Sequence, residues 1–352
     1  MAGIPSIANR SRRDRAIDLI DDRLGLRALQ YPVPEHANNL GWSLGGLTAG
    51  ALFILIATGI ILTQFYNPTP EAANASVRDI VTNVWAGRFI RGVHYWSAQA
   101  MYVLAAIHLL RVFLTGSYKR PREANWLIGV SMFALVTGAL FTGTVLKWDQ
   151  EGFEALGHNL ELARLLGGAG FWFTPSFSAD VPLLERLYVA HVAILPGLLL
   201  ALFALHGALI KRHGISPSPT IPEASGEAKE PFTHHLRRIG AFTVVLLAFV
   251  GVLALIRPPG VGATPVEGIE ITKPMWMFWW LFTLETKLGL KGILYGSGAL
   301  FGLLFALPFI DRNPRRWWRK RPVAMSIATF VLVTITVLTI MEALTTPASH
   351  LG

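Results

Sequence analysis

Long apolar runs separated by polar segments are the main feature of this chain. Seven runs are long enough for a helix that crosses a bilayer, which needs about 20 apolar residues. They lie at about 43–65, 92–115, 125–147, 186–211, 238–256, 291–310 and 322–342. The most polar connection, 214–231, separates the first four runs from the last three. The pattern predicts an all-α polytopic membrane protein with a four-helix bundle followed by three further helices.

Residues 1–30 follow a different pattern, in which arginines alternate with aliphatic residues. A basic amphipathic helix of this kind lies on a membrane surface, with its apolar face among the lipids. The segment has no apolar core, so we expect no cleaved signal peptide here. We therefore expect a surface helix (1–30), a four-helix portion (31–219) and a three-helix portion (220–352).

Composition agrees with a membrane protein, since 52% of the 352 residues are hydrophobic and only 15% are charged. The chain has no cysteine. This excludes disulfides, thiolate-held iron–sulfur clusters and thioether-attached haem within the chain.

The net charge of +9 is explained by topology. Segments 1–39, 116–124, 211–238 and 311–322 together carry twenty Lys and Arg, whereas the alternate connections carry ten. Because basic residues accumulate on the cytoplasmic side, we expect the amino terminus inside and no nucleic-acid partner.

Four of the ten histidines lie inside apolar runs, where an unpartnered imidazole is costly. His94 and His108 are fourteen residues apart, and His191 and His206 are fifteen apart. In a helix both intervals span roughly 21–22 Å and return to nearly the same face. Two such helices side by side would form two facing histidine pairs, which suits two b-type haems, each with two axial imidazoles. Hydrogen-bonded core histidines and the proton relays of a transporter are the alternatives.

Glycines repeat the same spacing on two other predicted helices. Gly45 and Gly59 on the first, and Gly129 and Gly143 on the third, are each fourteen residues apart. A missing side chain at both haem levels would make room for the porphyrin edge. Plain helix packing is the alternative, because small residues commonly serve it in membranes.

Several cations lie near the histidines in sequence. Arg91, Arg111 and Arg186 lie within five residues of a histidine of the pairs, and Lys119 follows the second run. We expect them to bind haem propionates, with interfacial anchoring as the alternative.

The residues resemble cytochrome b of the quinol–cytochrome c oxidoreductases, and most closely its split, chloroplast-type form, here fused in one chain. The similar stretches are IRGVHYWS at 90–97, TGSYKRPRE at 115–123, TGTVLKWDQ at 142–150, RLYVAH at 186–191, KRHGIS at 211–216 and RPVA at 321–324. The fifteen-residue histidine interval is also typical of the split form.

This resemblance implies a low-potential outer haem held by His94 and His191, and a high-potential inner haem held by His108 and His206. Quinol would be oxidised at the outer face, between the connections 148–185 and 257–291. One electron would pass to a Rieske iron–sulfur protein and on to a c-type cytochrome or equivalent acceptor. The other would cross both haems to an inner quinone, with net proton translocation. The resemblance further implies a homodimer within a larger complex in an energy-transducing membrane, which we expect to be a bacterial inner membrane.

Three positions depart from the family pattern. The outer-site motif Pro-Glu-Trp-Tyr is replaced by PMWM at 274–277, so Met275 stands where a proton-accepting Glu is expected and Trp276 follows it. Ser43 replaces the cysteine that attaches an extra haem in the chloroplast form, which rules out attachment there. Lys147 replaces a proline. The acids that could substitute for the missing carboxylate are Asp149, Glu151, Glu267 and Glu270.

Basic residues near the predicted inner end of the fourth helix are candidates for the inner quinone site. Arg212 and His213 could donate protons to a reduced quinone, as could His234 and His235, although ordinary interfacial loops look the same. Two main hypotheses follow: a quinol-oxidising di-haem cytochrome b, and a di-haem electron conduit whose outer site is altered at Met275.

Overall fold

The computed structural model describes residues 18–23, 25, 30–221 and 228–346. Its helices from residue 40 onwards are α1 Leu40–Thr63, α2 Ala73–Thr82, α3 Gly87–Leu114, α4 Glu123–Val145, α5 Gln150–Leu165, α6 Leu183–His213, α7 Phe232–Ile256, α8 Trp279–Leu288, α9 Lys291–Ile310 and α10 Pro322–Leu344. Seven of them are long and apolar enough to cross a membrane, all except α2, α5 and α8. The predicted fold class and the seven spans are confirmed.

The predicted surface helix is described only in part. Residues 18–23 are helical, but most of 1–30, including the arginines before position 18, lies outside the described residues. The boundary predicted at 219/220 falls beside another stretch outside the description, 222–227. A short antiparallel pair links the two portions: strand β1 (Pro32–Pro34) precedes the four-helix portion's first helix, and its partner β2 (Lys229–Pro231) precedes α7.

Three short helices, α2, α5 and α8, lie in connections that the hydropathy pattern treats only as loops. They are too short to span a membrane. Helix α2 buries one face, with Ala73, Val77 and Ile80 at helical spacing. Helix α5 begins where the side chain of Asp149 accepts a hydrogen bond from the amide of Gly152 at 3.0 Å. We call the end of the bundle that carries α2, α5 and α8 the outer end.

The three-helix portion packs directly on the four-helix portion through glycines. Gly46 and Gly50 of α1 face Ile239 and Thr243 of α7. On α3, a Cβ at Gly92 would lie 2.8 Å from the Cβ of Ala254. Small residues allow such close helix contacts, and here they pack α7 against both α1 and α3.

A buried ionic cluster joins the two portions at the other, inner end. The ammonium of Lys119 lies 2.8 Å from Oδ1 of Asp311, and the guanidinium of Arg321 donates to Oδ2 at 2.9 Å. The hydroxyl of Tyr118 also donates to Asp311. Burial alone would raise the pKa of Asp311, but these three donors outweigh it and hold the pKa below its ordinary value.

Candidate haem and quinol sites

The outer histidine pair consists of His94 on α3 and His191 on α6. Their ring centroids are 6.3 Å apart, with an angle of 62° between the ring planes. Two imidazole–metal bonds of about 2 Å each would put the bonding nitrogens about 4 Å apart. Two imidazoles at this separation can bind one metal ion between them when their bonding nitrogens face each other.

Threonines fix the tautomer of both outer histidines. Thr58 Oγ1 lies 2.9 Å from Nδ1 of His94 and donates its own proton to the carbonyl of Ile54. Since a hydroxyl has one proton, Nδ1 of His94 is the donor in the tautomer in which Thr58 donates to that carbonyl. Thr142 does the same for His191 at 2.9 Å, while donating to a carbonyl one turn earlier. Both Nε2 atoms are thus left with a free lone pair, as a metal ligand requires.

The inner pair, His108 on α3 and His206 on α6, is similarly enclosed. A Cβ at Gly45 would lie 2.9 Å from Cε1 of His108, so the ring lies directly against the backbone of α1. Nδ1 of His108 is buried and has no hydrogen-bond partner among the described residues. Nδ1 of His206 is likewise buried without a hydrogen-bond partner among the described residues.

Each of the four glycines that share the fourteen-residue spacing lies against the ring of a different histidine. The distances from an added Cβ to the nearest ring atom are 2.9 Å for Gly45 and His108, 3.4 Å for Gly59 and His94, 3.7 Å for Gly129 and His206, and 3.0 Å for Gly143 and His191. Neighbouring glycines of the same helices, such as Gly46, instead pack against α7. The fourteen-residue set therefore serves the histidines, whereas other glycines serve helix packing.

A π-helical turn explains why the second interval is one residue longer. Residues Ala190–Ile194 form this turn inside α6, and His191 lies within it. A π turn takes one more residue per turn than an α turn. The fifteen residues from His191 to His206 therefore match the fourteen from His94 to His108.

The predicted propionate cations have protein partners. Arg91 donates to the carbonyls of Pro259 and Gly260 at 2.7 and 2.9 Å. Arg186 donates to the carbonyls of Trp172 and Thr174, both at 2.6 Å.

The other two cations of that set differ from each other. The guanidinium carbon of Arg111 lies 3.6 Å from the ring centroid of Trp42, and its Nε is buried without a partner among the described residues. Lys119 is held by Asp311 and two carbonyls, so it has little capacity for a further anion.

A cavity of about 640 Å³ opens at the outer end between α4, α5, α6 and α8. Its volume is in the range of small-molecule sites, and its wall is mostly apolar with a few polar groups. The lining includes Thr137, Phe141, Thr144, Glu151, Glu154, His158, Leu162, Trp172, Leu187, Thr272, Pro274, Met275, Phe278 and Phe282.

Met275 lines this cavity, and its sulfur lies 2.9 Å from Thr144 Oγ1, a hydroxyl that is also within donating distance of the carbonyl of Leu140. Trp276 points elsewhere and donates to Gln99 at 2.7 Å. Asp149 is buried outside the lining, where it accepts from the amides of Gly152 and Gly262. These contacts make Asp149 a cap of α5 and a tie to the 257–278 loop.

The remaining candidate acids differ in their surroundings. Glu267 lies on an exposed loop. Glu151 lines the cavity and is paired with Lys147; burial raises its pKa, although that lysine opposes the shift. The side chain of Glu270 is buried, with Oε1 3.2 Å from Nε2 of His158.

Three groups in or beside the cavity were missed from the sequence: Glu154, His158 and Glu285. His158 Nδ1 lies 2.9 Å from Oε1 of Glu285. The available signal was the spacing of Glu151, Glu154 and His158, which places all three on one helical face. That signal has meaning only once 150–165 is known to be helical.

The inner candidates are scattered. Arg212 is exposed, and the carbonyl of His213 accepts from Arg122 at 2.9 Å. His235 is buried beside Asn38, at 3.2 Å from its amide oxygen, and His234 is exposed near Glu230. The described residues do not bring these side chains into one cavity.

Two family models match the sequence. The cytochrome b(N-terminal)/b6/petB model matches residues 99–263, and the prokaryotic cytochrome b561 model matches residues 5–124. One solved structure, described as "Hyperthermophilic respiratory Complex III", has the same fold, with a TM-score of 0.79 over 94% of this chain and 91% of that chain, at 22% identity.

Three relatives indicate the family more directly. Cytochrome b6 of Heliobacterium modesticaldum is 38% identical over 55% of this chain and 93% of its own length. The menaquinol:cytochrome c reductase cytochrome b subunit of Geobacillus thermodenitrificans is 35% identical over 58% of this chain and 98% of its own length. The cytochrome bc complex cytochrome b subunit of Chlorobaculum thiosulfatiphilum is 32% identical over 85% of this chain and 73% of its own length.

The first two matches correspond in extent to the four-helix portion, and the third continues into the three-helix portion. Membership of such a family implies binding of b-type haem. It also makes the protein a membrane-embedded subunit of an oxidoreductase complex. The chain belongs to the cytochrome b family of quinol–cytochrome c oxidoreductases, in a form that joins the b6-like portion and the three-helix portion in one polypeptide.

Proposed function

We propose that this chain holds two b haems and carries electrons between an outer quinol and an inner quinone as the cytochrome b subunit of a Rieske-containing complex. The observation that carries the proposal is the pair of histidine sites at opposite ends of α3 and α6. Each site has two imidazoles and a glycine opposite each ring. Two protein ligands suit a metal whose other four ligands come from a macrocycle.

The outer haem would be held by His94 and His191, and the inner haem by His108 and His206. The haems supply one-electron redox chemistry across the membrane. Thr58 and Thr142 contact Nδ1 of the outer imidazoles, and the glycines leave room for the four imidazole rings. Covalent attachment of a further haem through Ser43 is excluded by its chemistry, and this side chain donates to the carbonyl of Asn39.

Arg91, Arg111 and Arg186 are the cations that we propose for the propionates. Arg111 and Arg186 each retain a buried Nε without a partner among the described residues. Arg91 is held by two carbonyls on the connection that follows α7. Lys119 is not proposed as a propionate partner, because its charge is neutralised by Asp311.

The apolar cavity at the outer end is the proposed quinol site, with Met275 on its wall. One electron from each quinol would go to the outer haem and the other to a Rieske iron–sulfur protein, which passes it to a c-type cytochrome or equivalent acceptor. Protons would leave at the outer face and enter at the inner face. We place the amino terminus inside an energy-transducing bacterial membrane, and the subunit in a homodimer.

A second function, favoured by Met275, is that of a di-haem electron conduit whose outer site does not oxidise quinol. A thioether cannot accept a quinol proton, and Met275 lies on the wall of the outer cavity. Arg212, which is exposed, and His213 are proposed for the inner quinone site on their position at the end of α6 alone.

The haem assignment is tested on the purified protein by pyridine haemochrome assay and redox titration. We expect two b haems per chain. His94→Ala should lose the lower-potential haem and His108→Ala the higher-potential one, because each removes one axial ligand. His234→Ala, which changes an exposed histidine outside both pairs, should retain both haems. One haem or none in the unaltered chain would overturn the proposal.

An assay of quinol oxidation distinguishes the quinol-oxidising cytochrome b from the di-haem electron conduit. The purified complex should reduce its outer haem when supplied with a menaquinol analogue if the first function holds. No reduction in the unaltered complex, together with a gain in Met275→Glu, would support the conduit instead.

A further inference from the structure

Among the described residues, the titratable side chains that line the outer cavity are Glu151, Glu154 and His158, all on α5. Oxidation of a quinol releases two protons, so a group on the wall that can take one up would accelerate the reaction. Such a group needs a lone pair that faces the cavity and is not already used in a hydrogen bond. The contacts of the three side chains therefore decide which of them could act.

Glu154 is fully used in holding the fold together. Its two oxygens accept from the amides of Ile271 and Thr272 and from the side-chain amide of Gln150, at 2.9–3.0 Å. The hydroxyl of Thr272 donates to it as well. A proton on this carboxylate would displace one of these donors and loosen the loop 257–278 that forms part of the cavity wall.

His158 faces carboxylates with both ring nitrogens. Nδ1 lies 2.9 Å from Oε1 of Glu285, and Nε2 lies 3.2 Å from Oε1 of Glu270. Burial lowers the pKa of His158, but the two carboxylates outweigh burial and raise it above its ordinary value. This favours an imidazolium, which has no lone pair to offer to a quinol in the cavity.

Glu151 differs from both, because one of its oxygens is not engaged. Oε2 lies 2.5 Å from the ammonium of Lys147, four residues earlier. Oε1 has no hydrogen-bond donor within the part of the chain that the structure describes. The side chain is 23% exposed and lines the cavity, so Oε1 can accept from a hydroxyl bound there.

The pair formed by Lys147 and Glu151 can also tolerate a change of charge. The ammonium of Lys147 lies 3.5 Å from Oδ2 of Asp149. Asp149 is fixed in turn by the amides of Gly152 and Gly262. When Glu151 gains a proton and becomes neutral, Lys147 therefore still has a counter-charge in place, and no buried cation is left alone.

The charged and titratable groups that face Glu151 come from three directions. Lys147 and Asp149 lie in the connection before α5, Glu154 lies one turn along α5, and the hydroxyl of Tyr95 approaches from α3. Burial raises the pKa of Glu151 above its ordinary value; Lys147 opposes the rise, and the carboxylates of Asp149 and Glu154 add to it. A carboxylate of raised pKa is a better base than an exposed one.

We propose that Glu151 is the catalytic base of the outer cavity and that Lys147 is its positioning residue. The inference rests on the proposed quinol oxidation. An O–H bond of the quinol breaks, and its proton goes to Oε1 of Glu151. One electron goes to the outer haem and the other to the iron–sulfur partner, and the second proton leaves on the side of that partner.

The position of Glu151 determines where its proton is released. The residue lies in the first turn of α5, at the outer end of the bundle, so the proton leaves at the outer face. Two departures from the family pattern then have one explanation. The carboxylate that is absent at Met275 is supplied from α5 across the same cavity, and Lys147, which stands in place of a proline, holds it.

The first test compares the purified complex with a Glu151→Gln variant, using a menaquinol analogue and stopped-flow reduction of the outer haem. Glutamine keeps the shape and can still accept from Lys147, but it cannot take up the proton. We expect two haems per chain, KM within about twofold of the unaltered value, and kcat lower by about 10²-fold. Glu161→Gln on the same helix, in an exposed pair with Arg164, is the matched control and should retain the full rate.

The second test uses the pH profile, which a merely structural role would not move. The base must be ionised, so the rate of the unaltered complex should fall as pH drops through the pKa of Glu151. Glu151→Gln should lack this acidic limb. Lys147→Gln removes the cation that lowers the pKa, so its limb should move to higher pH by about one pH unit or more. If either variant fails to assemble with two haems, the pH profile of the other decides.

An infrared readout does not depend on turnover. In difference spectra recorded during a pH titration, the unaltered complex should show a carboxyl band whose midpoint matches the acidic limb of the rate. The band should be absent in Glu151→Gln and should titrate at higher pH in Lys147→Gln.

The outcomes distinguish this inference from the proposed function. An unaltered complex that oxidises no quinol overturns both. An active unaltered complex, with variants that keep its rate, its acidic limb and its carboxyl band, overturns only the roles of Glu151 and Lys147.

Discussion

Among the single residues, the histidines of the outer pair differ from ordinary buried histidines in what their Nδ1 atoms do. Thr58 and Thr142 each use their proton on a helix carbonyl and accept from the ring. A core histidine held only by interhelical hydrogen bonds would need partners on both nitrogens. These rings have a partner on one nitrogen and a facing ring on the other side, which is the arrangement of a ligand.

The glycines that face the rings give a graded prediction. Gly45→Ala should lower the occupancy of the inner haem and Gly143→Ala that of the outer haem, because an added Cβ would meet the rings at 2.9 and 3.0 Å. Overpacking of this kind costs about 1–3 kcal/mol. Gly129→Ala, where the contact would be an ordinary 3.7 Å, is the matched control. The measurement is haem per chain with redox titration; equal occupancy in all three variants would contradict the argument.

Among the elements, α6 is the most informative, because its π turn sets the level of both of its histidines. The turn at Ala190–Ile194 accommodates the extra residue of the His191–His206 interval, which has fifteen residues against fourteen from His94 to His108. Helices α5 and α8 are also important, since they bring His158, which lines the cavity, against the buried Glu285. Neither helix crosses the membrane, yet together they determine which acids meet.

The role of the π turn can be tested by changing the length of α6. Deleting Ala193 shortens the interval from His191 to His206 to fourteen positions. We expect a regular α-helix there, with both haems retained. Inserting an alanine after Ala201 instead makes sixteen, which rotates His206 by about 100° and should remove the inner haem. Haem content and the two midpoint potentials report the result. Loss of both haems in the deletion variant would show that the turn itself is required.

At the scale of the whole molecule, the two portions of the chain are held together at both ends of the bundle. Helix α7 packs on α1 and α3 through glycines, and the Asp311 cluster joins α9 and α10 to the connection after α3. The cluster is buried, with 2% of Arg321 exposed. Removing one partner from such a cluster leaves charges uncompensated inside the protein.

Asp311→Asn should therefore destabilise the protein by about 3–5 kcal/mol, because Lys119 and Arg321 lose their counter-charge. The lowered pKa of Asp311 means that its contribution is present above the ordinary aspartate value of about 3.9 and is lost as pH falls through the folded-state pKa. Thermal unfolding in detergent across a pH series measures both effects. The exposed pair of Glu161 and Arg164 is the control, and Glu161→Gln should change stability by less than about 1 kcal/mol. Equal stability of the Asp311→Asn variant and the unaltered protein would contradict this account.

Sequence alone determined the fold class, the seven spans and the matched spacing of the histidines and glycines. These features follow from local periodicity: hydropathy reports burial in lipid, and equal spacing on neighbouring helices gives equal depth. The missing carboxylate at Met275 was instead identified through the resemblance to the family pattern, which can be compared position by position.

Only the tertiary structure decided which acids and cations are engaged and which groups meet at the cavity. Asp149 became a helix cap, Lys119 became part of an ionic cluster, and Glu270 was brought to His158 and Glu285 from segments far apart in sequence. Such pairings depend on how loops and short helices pack across the bundle. Charged side chains in a sequence show no sign of which opposite charge they will meet, because that choice is made by burial and long-range packing.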